Sequence, residues 1–95
     1  MALDPAFTIV HLPAEQRFVL QHQGAEAGEL TYSISGGRAA LLYTEVRPAL
    51  RGRGLAHELV LATVAWARAE GLKLTPMCSY TRVVLERSAE FKDVL

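Results

Sequence analysis

Four consecutive residues, Arg51-Gly52-Arg53-Gly54, stand directly before a run in which apolar residues recur every three or four positions. The first N–H groups of a helix have no intrahelical partner and the macrodipole adds partial positive charge there, so a glycine-rich turn at that point can hold an anion. Gly52 and Gly54 allow a ligand to approach the main chain with no Cβ in the way, and Arg51 and Arg53 can add charge-assisted hydrogen bonds. The chemistry suggested is phosphate binding. On the residues alone, a solvated turn that merely starts a helix stands beside it. Two familiar phosphate motifs are absent: there is no GxxxxGK followed by Ser or Thr, and the sixth position from Gly52 is His57, which breaks GxGxxG.

The elements around this turn follow from periodicity. FTIVHL (7–12) and RFVLQH (17–22) read as two antiparallel strands separated by the Pro13-Ala14-Glu15 turn. QGAEAGE (23–29) reads as a turn, after which Leu30, Tyr32 and Ile34 alternate with polar neighbours. Gly36-Gly37 signals a tight hairpin. RAALLYTEV (38–46), apolar at both phases, reads as a central strand covered on both faces, and Pro48 ends it. The main helix is expected over 52–70, with Leu55, Leu59, Ala62, Trp66 and Ala69 as the core stripe, Ala56, Val60 and Ala67 widening it, and Gly71 as its cap. LKLTP is a short strand, and CSYTRVVLERS a shorter helix with Tyr80, Val83, Val84 and Leu85 turned inward. Strand, long helix and strand make a βαβ crossover, so those two strands are parallel and the class is α+β with a mixed sheet.

The whole chain has 95 residues, 51% of them hydrophobic, which fits a single domain over 1–95 with its own core. Ten basic residues balance ten acidic ones, which argues against a nucleic-acid partner. The charge is local: Arg38, Arg47, Arg51 and Arg53 fall within one short stretch. Cys78 is the only cysteine and cannot form an internal disulfide. MALDPAFTIV lacks the basic start and apolar stretch of a secretion signal, and no apolar run reaches membrane-spanning length, so a cytoplasmic protein is expected. Monomer and homodimer are both open. His11, His22 and His57 show no paired ligand spacing and are read as surface residues, with no metal. Trp66 is read as core.

RGRGLA (51–56) resembles the Q/R-x-x-G-x-G/A signature of the GNAT superfamily, the Gcn5-related N-acetyltransferases, and it sits in the same strand-to-helix turn. Two further pieces agree: Thr44-Glu45-Val46 before the loop, and Pro76-Met77-Cys78-Ser79-Tyr80 after the next strand. The chain is shorter than a full GNAT domain, lacking the helix pair between the first two strands and the final strand pair. It therefore resembles the minimal GNAT-like family over residues 8–95.

The resemblance implies an acetyl-CoA-dependent N-acetyltransferase acting on a primary amine through a ternary complex. The alternative is a CoA-binding module without transferase activity. The amides of Arg51, Gly52, Arg53, Gly54, Leu55 and Ala56 would hold the cofactor's pyrophosphate. The main chain at Thr44 and Val46 would pair with the pantetheine arm, where the strand splays from its parallel neighbour. Cys78, placed across that splay from Glu45, is a candidate nucleophile or proton donor, with buried packing as its other reading. Glu45 is a candidate general base, against a role as a solvated strand-end charge or a partner of Arg47 or Arg51, and Tyr80 a candidate proton donor to the leaving thiolate, against core packing. The amine acceptor is not identified by any residue.

Overall fold

The computed structural model describes residues 4–95; residues 1–3, where the stretch read for a secretion signal begins, lie outside them. Strands β1 (Phe7–Leu12) and β2 (Arg17–His22) flank a 3₁₀ turn at Pro13–Glu15 and pair antiparallel, Phe7 opposite His22 and Leu12 opposite Arg17. β3 (Ala25–Ser35) and β4 (Arg38–Val46) continue the antiparallel order, and β5 (Lys73–Pro76) joins β4 in parallel. The sheet order is β1-β2-β3-β4-β5. Helix α1 (Leu55–Glu70) makes the crossover from β4 to β5, and α2 (Ser79–Arg87) follows β5. This is the expected α+β architecture.

Several boundaries differ from the sequence reading, each for a local reason. The turn expected over 23–29 is only Gln23-Gly24, both at positive φ. Ala25 to Glu29 are poor strand formers by propensity, but β2 pairs along them, the chain at the end of β4 bonds Ala27 and pairs with Gly28 and Glu29, and Ala27 is the extra residue of a bulge, buried in the core. Gly36 and Gly37, at φ +58° and +77°, make the anticipated hairpin turn. The stretch 48–54 is not helix: Pro48–Leu50 form a 3₁₀ turn and Gly54 caps α1. A last 3₁₀ segment, Ala89–Val94, was not anticipated and contributes Phe91 and Val94 to the core.

The buried stripe of α1 is Leu55, Leu59, Val60, Thr63, Val64 and Ala67: Leu55, Leu59, Val60 and Ala67 are among the expected residues, and Thr63 and Val64 turn it away from Ala62 and Ala69. Thr63 is tolerated at full burial because its hydroxyl donates to the Leu59 carbonyl at 2.8 Å. Ala62 and Trp66 are half-buried and Ala69 is exposed. Trp66 packs beside Phe18, Tyr32 and His11, so His11 is part of an aromatic cluster and not a surface residue. In α2 Leu85 is buried as expected, together with Thr81; Val84 is half-buried, while Tyr80 and Val83 are exposed.

Leu30, Tyr32, Ala39 and Leu41 share one core cluster with α1, α2 and the last 3₁₀ segment. The other side of β4 is not covered: Leu42, the extra residue of a bulge opposite β3, is 49% exposed and Tyr43 47%. The central-strand pattern of RAALLYTEV therefore reflects a bulge and an open face, not helices on both sides.

Candidate active site

The turn between β4 and α1 is built around two left-handed residues, Gly52 at φ +82° and Gly54 at +76°. An added Cβ at either would meet nothing within 4 Å, so the dihedral, and not crowding, calls for glycine here. The Arg51 amide donates to the Pro48 carbonyl at 3.3 Å, and the Glu58 amide to the Gly54 carbonyl at 3.1 Å. Between these two, the amides of Gly52, Arg53, Gly54, Leu55, Ala56 and His57 donate to no protein acceptor among the described residues. Consecutive free N–H groups at a helix mouth form a cradle for an anion. Arg51 is turned away from it, its Nε bonded to the Val46 carbonyl at 3.1 Å. Below the turn lies a cavity of about 270 Å³ whose walls include Val46, Leu50, Leu55, Ala56 and Tyr80. It offers apolar lining next to a polar rim.

Beside the cradle the two parallel strands part. Their register ends at Leu41 opposite Pro76, and the Met77 and Cys78 amides both converge on the Leu41 carbonyl at 3.0 Å. β4 runs on to Val46 with β3 as its partner on the other side. The Arg47 amide donates to Ala27 of β3. Alternation along an extended strand then turns the amides and carbonyls of Thr44 and Val46 to the opposite edge, where β5 has stopped. That edge can take an extended amide-bearing chain as an added strand.

Cys78 stands at this parting as the N-cap of α2. Burial pushes its thiol pKa up, but hydrogen bonding from the Thr81 and Tyr80 amides and from the Thr44 and Thr81 side chains outweighs this and holds it below the ordinary value. Thr44 lies opposite Leu30 on the core side of β4, and its Oγ1 is buried. The sequence points to the Thr44 main chain, not to this hydroxyl. Its signal is the alternation Thr44, Val46, which places both side chains on the core face.

Glu45 is on the other face. It lies opposite Glu29, exposed, and its carboxylate, with burial adding to the effect, holds the Tyr43 pKa above the usual phenol value. The structure thus brings Cys78, Thr44 and Tyr80 together, and sets Glu45 across the strand from them. Tyr80 is 38% exposed and lines the cavity, so the core-packing alternative does not apply to it; burial raises its pKa. Arg17 on the open face is engaged by Glu15, Glu26 and Glu29. Among the described residues no group of three His, Cys, Asp or Glu side chains is placed to hold a metal ion.

A glycine-bearing turn with free amides, beside a strand edge vacated by its parallel neighbour, can be compared with known proteins. Residues 17–94 match the family model for the GCN5-related N-acetyl-transferase. The chain belongs to the GCN5-related N-acetyltransferases. Among curated proteins none matches the sequence. The solution structure of a GCN5-like protein from Staphylococcus aureus is similar at 26% identity, over 96% of this chain and 89% of that one, with a TM-score of 0.76. PaiA N-acetyltransferase from Thermoplasma acidophilum, in complex with coenzyme A, shares the fold at 16% identity over 59% of this chain and 35% of its own, TM-score 0.57. N-acetylglutamate synthase from Neisseria gonorrhoeae, complexed with coenzyme A and N-acetyl-glutamate, shares it at 18% identity over 77% of this chain and 18% of its own, TM-score 0.65. This GCN5-related chain spans well under half the length of the last two. Among its described residues no helix is long and apolar enough to cross a membrane.

Proposed function

We propose that the chain is a single acetyl-CoA-binding domain that transfers the acetyl group to a primary amine in a ternary complex. The observation that carries this is the row of unpartnered amides from Gly52 to His57 next to the free edge of β4. A diphosphate satisfies the amides of Gly52 to Ala56; that of Arg51, expected among them, is taken by the Pro48 carbonyl. An extended pantetheine arm pairs with the Thr44 and Val46 main chain, and its thioester end lies beside Cys78 and Thr44. Family membership and the coenzyme A complexes of fold relatives support the cofactor.

In the transfer, the amine nitrogen attacks the thioester carbonyl carbon, the C–S bond breaks, and the sulfur leaves with the electron pair. The proton lost by the amine passes to Glu45 through water, and the Tyr80 hydroxyl protonates the departing thiolate. Proximity supplies much of the acceleration. Cys78 serves in one of two ways: its thiol donates a hydrogen bond to the leaving sulfur, or its Sγ attacks the thioester carbon first, the CoA sulfur leaves and is protonated by Tyr80, and the amine then attacks the acetyl carbon so that Sγ leaves as thiolate. The acceptor reaches the site from the uncovered face of β4. A cytoplasmic location agrees with the lone thiol.

One observation favours the second reading, cofactor binding without transfer: Glu45 and Cys78 lie on opposite faces of β4. Calorimetric titration with acetyl-CoA and CoA tests the first step, and saturable binding below millimolar concentration is expected. Thiol release over polyamines, lysine peptides and small amines then separates transfer from binding alone. Release no faster with any amine than with buffer leaves only the binding module.

A further inference from the structure

Six large apolar side chains are exposed among the described residues, and three of them, Leu42, Tyr43 and Met77, gather where β4 and β5 part. The bulge in β4 accounts for two: Leu42 has no opposite residue on β3, and Tyr43, opposite Thr31, follows it on the uncovered face. Met77 is the first residue beyond β5, 58% exposed, with its amide on the Leu41 carbonyl at 3.0 Å. None of the three belongs to the core cluster. Exposed apolar groups gathered beside the gap between two strands form a surface for an apolar ligand.

The charge around this patch narrows the ligand. Glu15, Glu26 and Glu29 are held by Arg17. Glu45 is in no ion pair among the described residues, and it lies two residues beyond Tyr43, close enough to act on its hydroxyl. Past Glu45 stand two cations, Arg47 on the Glu26 carbonyl and Arg51 on the Val46 carbonyl. One free carboxylate backed by two guanidinium groups suits a single ammonium. A second positive charge on the same molecule would meet either apolar side chains or an arginine.

We propose that the acceptor is an apolar monoamine, an alkyl or arylalkyl primary amine whose hydrocarbon body lies on Leu42, Tyr43 and Met77 and whose nitrogen is drawn toward Glu45. The assignment rests on the transfer reading above. The apolar patch disfavours the ammonium charge, so one proton goes to water and leaves the neutral nitrogen. That nitrogen attacks the thioester carbonyl carbon, and the C–S bond breaks with its electron pair going to sulfur. The second proton lost by the nitrogen passes to Glu45 through water, while Tyr80 protonates the sulfur and regains its proton from water.

The test is thiol release by the full chain at saturating acetyl-CoA, over the alkylamines from propylamine to hexylamine, phenethylamine, putrescine and a lysine peptide. A fully buried methylene is worth about fourfold, and this surface covers one side of the ligand, so kcat/KM should rise about twofold with each added carbon. Phenethylamine should rank with hexylamine. Putrescine, which carries a second ammonium where pentylamine has a methyl group, should fall roughly tenfold below pentylamine. Leu42→Asp should raise putrescine and lower hexylamine, and Met77→Gln should flatten the chain-length series, both with acetyl-CoA affinity unchanged. A gain with putrescine cannot come from a misfolded variant. Rates independent of chain length, putrescine or the lysine peptide at or above the alkylamines, or an unaltered ranking in Leu42→Asp would each overturn the acceptor class while transfer stands. So would a dimer in sedimentation that Leu42→Asp dissociates, since a second copy would then cover the patch. Acetyl-CoA binding with no release to any amine overturns transfer and this acceptor class together.

Discussion

The Cys78 amide donates to the Leu41 carbonyl at 3.0 Å, at the point where β4 and β5 part. Hydrogen bonding from the Thr81 and Tyr80 amides at the start of α2 and from the Thr44 and Thr81 side chains stabilises the thiolate more than burial opposes it. The rate of Cys78 alkylation by iodoacetamide should therefore rise with pH through a midpoint below that of an ordinary thiol. Thr44→Val, which keeps the shape and removes the hydroxyl, should move the midpoint to higher pH. A midpoint at or above the ordinary thiol value, unmoved by Thr44→Val, would show that the hydrogen bonds do not act on the sulfur.

Gly54 and Gly36 offer a matched pair. Both hold positive φ, +76° and +58°, and an added Cβ meets nothing within 4 Å at either. Alanine should thus cost about 1–2 kcal/mol of stability at each, from the left-handed backbone alone. Only at Gly54 does the new methyl group stand beside the free amides. Urea unfolding should report similar losses for the two variants, whereas acetyl-CoA titration should weaken more than tenfold for Gly54→Ala and hardly change for Gly36→Ala.

The strand order, the crossover and the phosphate-holding turn are legible in the sequence because each has a local signal: period-two alternation, paired glycines, a change to helical period. What is not legible depends on the third dimension. The bulge at Leu42 makes an apolar strand look buried on both faces, since an extra residue imitates a second core phase. Thr63 and Thr81 replace expected apolar residues in the helix cores, and Thr63 does so by satisfying its hydroxyl within its own helix. Placement of Glu45 and Cys78 on opposite sides of β4 follows from register, which spacing along the chain does not give.

His11 shows how that third dimension sets chemistry. Its ring stacks on Phe18 at 4.1 Å and 3°, meets Trp66 edge-on at 5.1 Å, and shares a hydrogen bond with the Tyr32 hydroxyl. Burial lowers its pKa, with Glu70 opposing. The unfolded chain, at an ordinary pKa of about 6.5, then binds the proton more readily than the folded one. The contribution of the neutral ring is complete above that value and is lost as pH falls toward the folded pKa. Urea midpoints measured from pH 8 down to 5 should decline for the unmodified protein, and His11→Phe should flatten that decline. An equal slope in both would place the pH dependence elsewhere.

Gly28 is the residue whose replacement should reach the site from outside it. It lies on β3 at ordinary φ, yet an added Cβ would stand 2.7 Å from the Glu45 carbonyl oxygen, 3.2 Å from Val46 Cγ2 and 3.3 Å from Val46 Cα. Two of these atoms are main chain, so no side-chain rotation relieves the clash and the end of β4 must move. That end offers its edge to the cofactor and, through the Val46 carbonyl, anchors the Arg51 guanidinium. Gly28→Ala should therefore lose about 1–3 kcal/mol in urea unfolding and also weaken acetyl-CoA binding, although position 28 lines neither the cradle nor its cavity. Lost stability with undiminished cofactor affinity would mean that β4 yields toward the open face, and that the geometry of its edge is set from the cradle side alone.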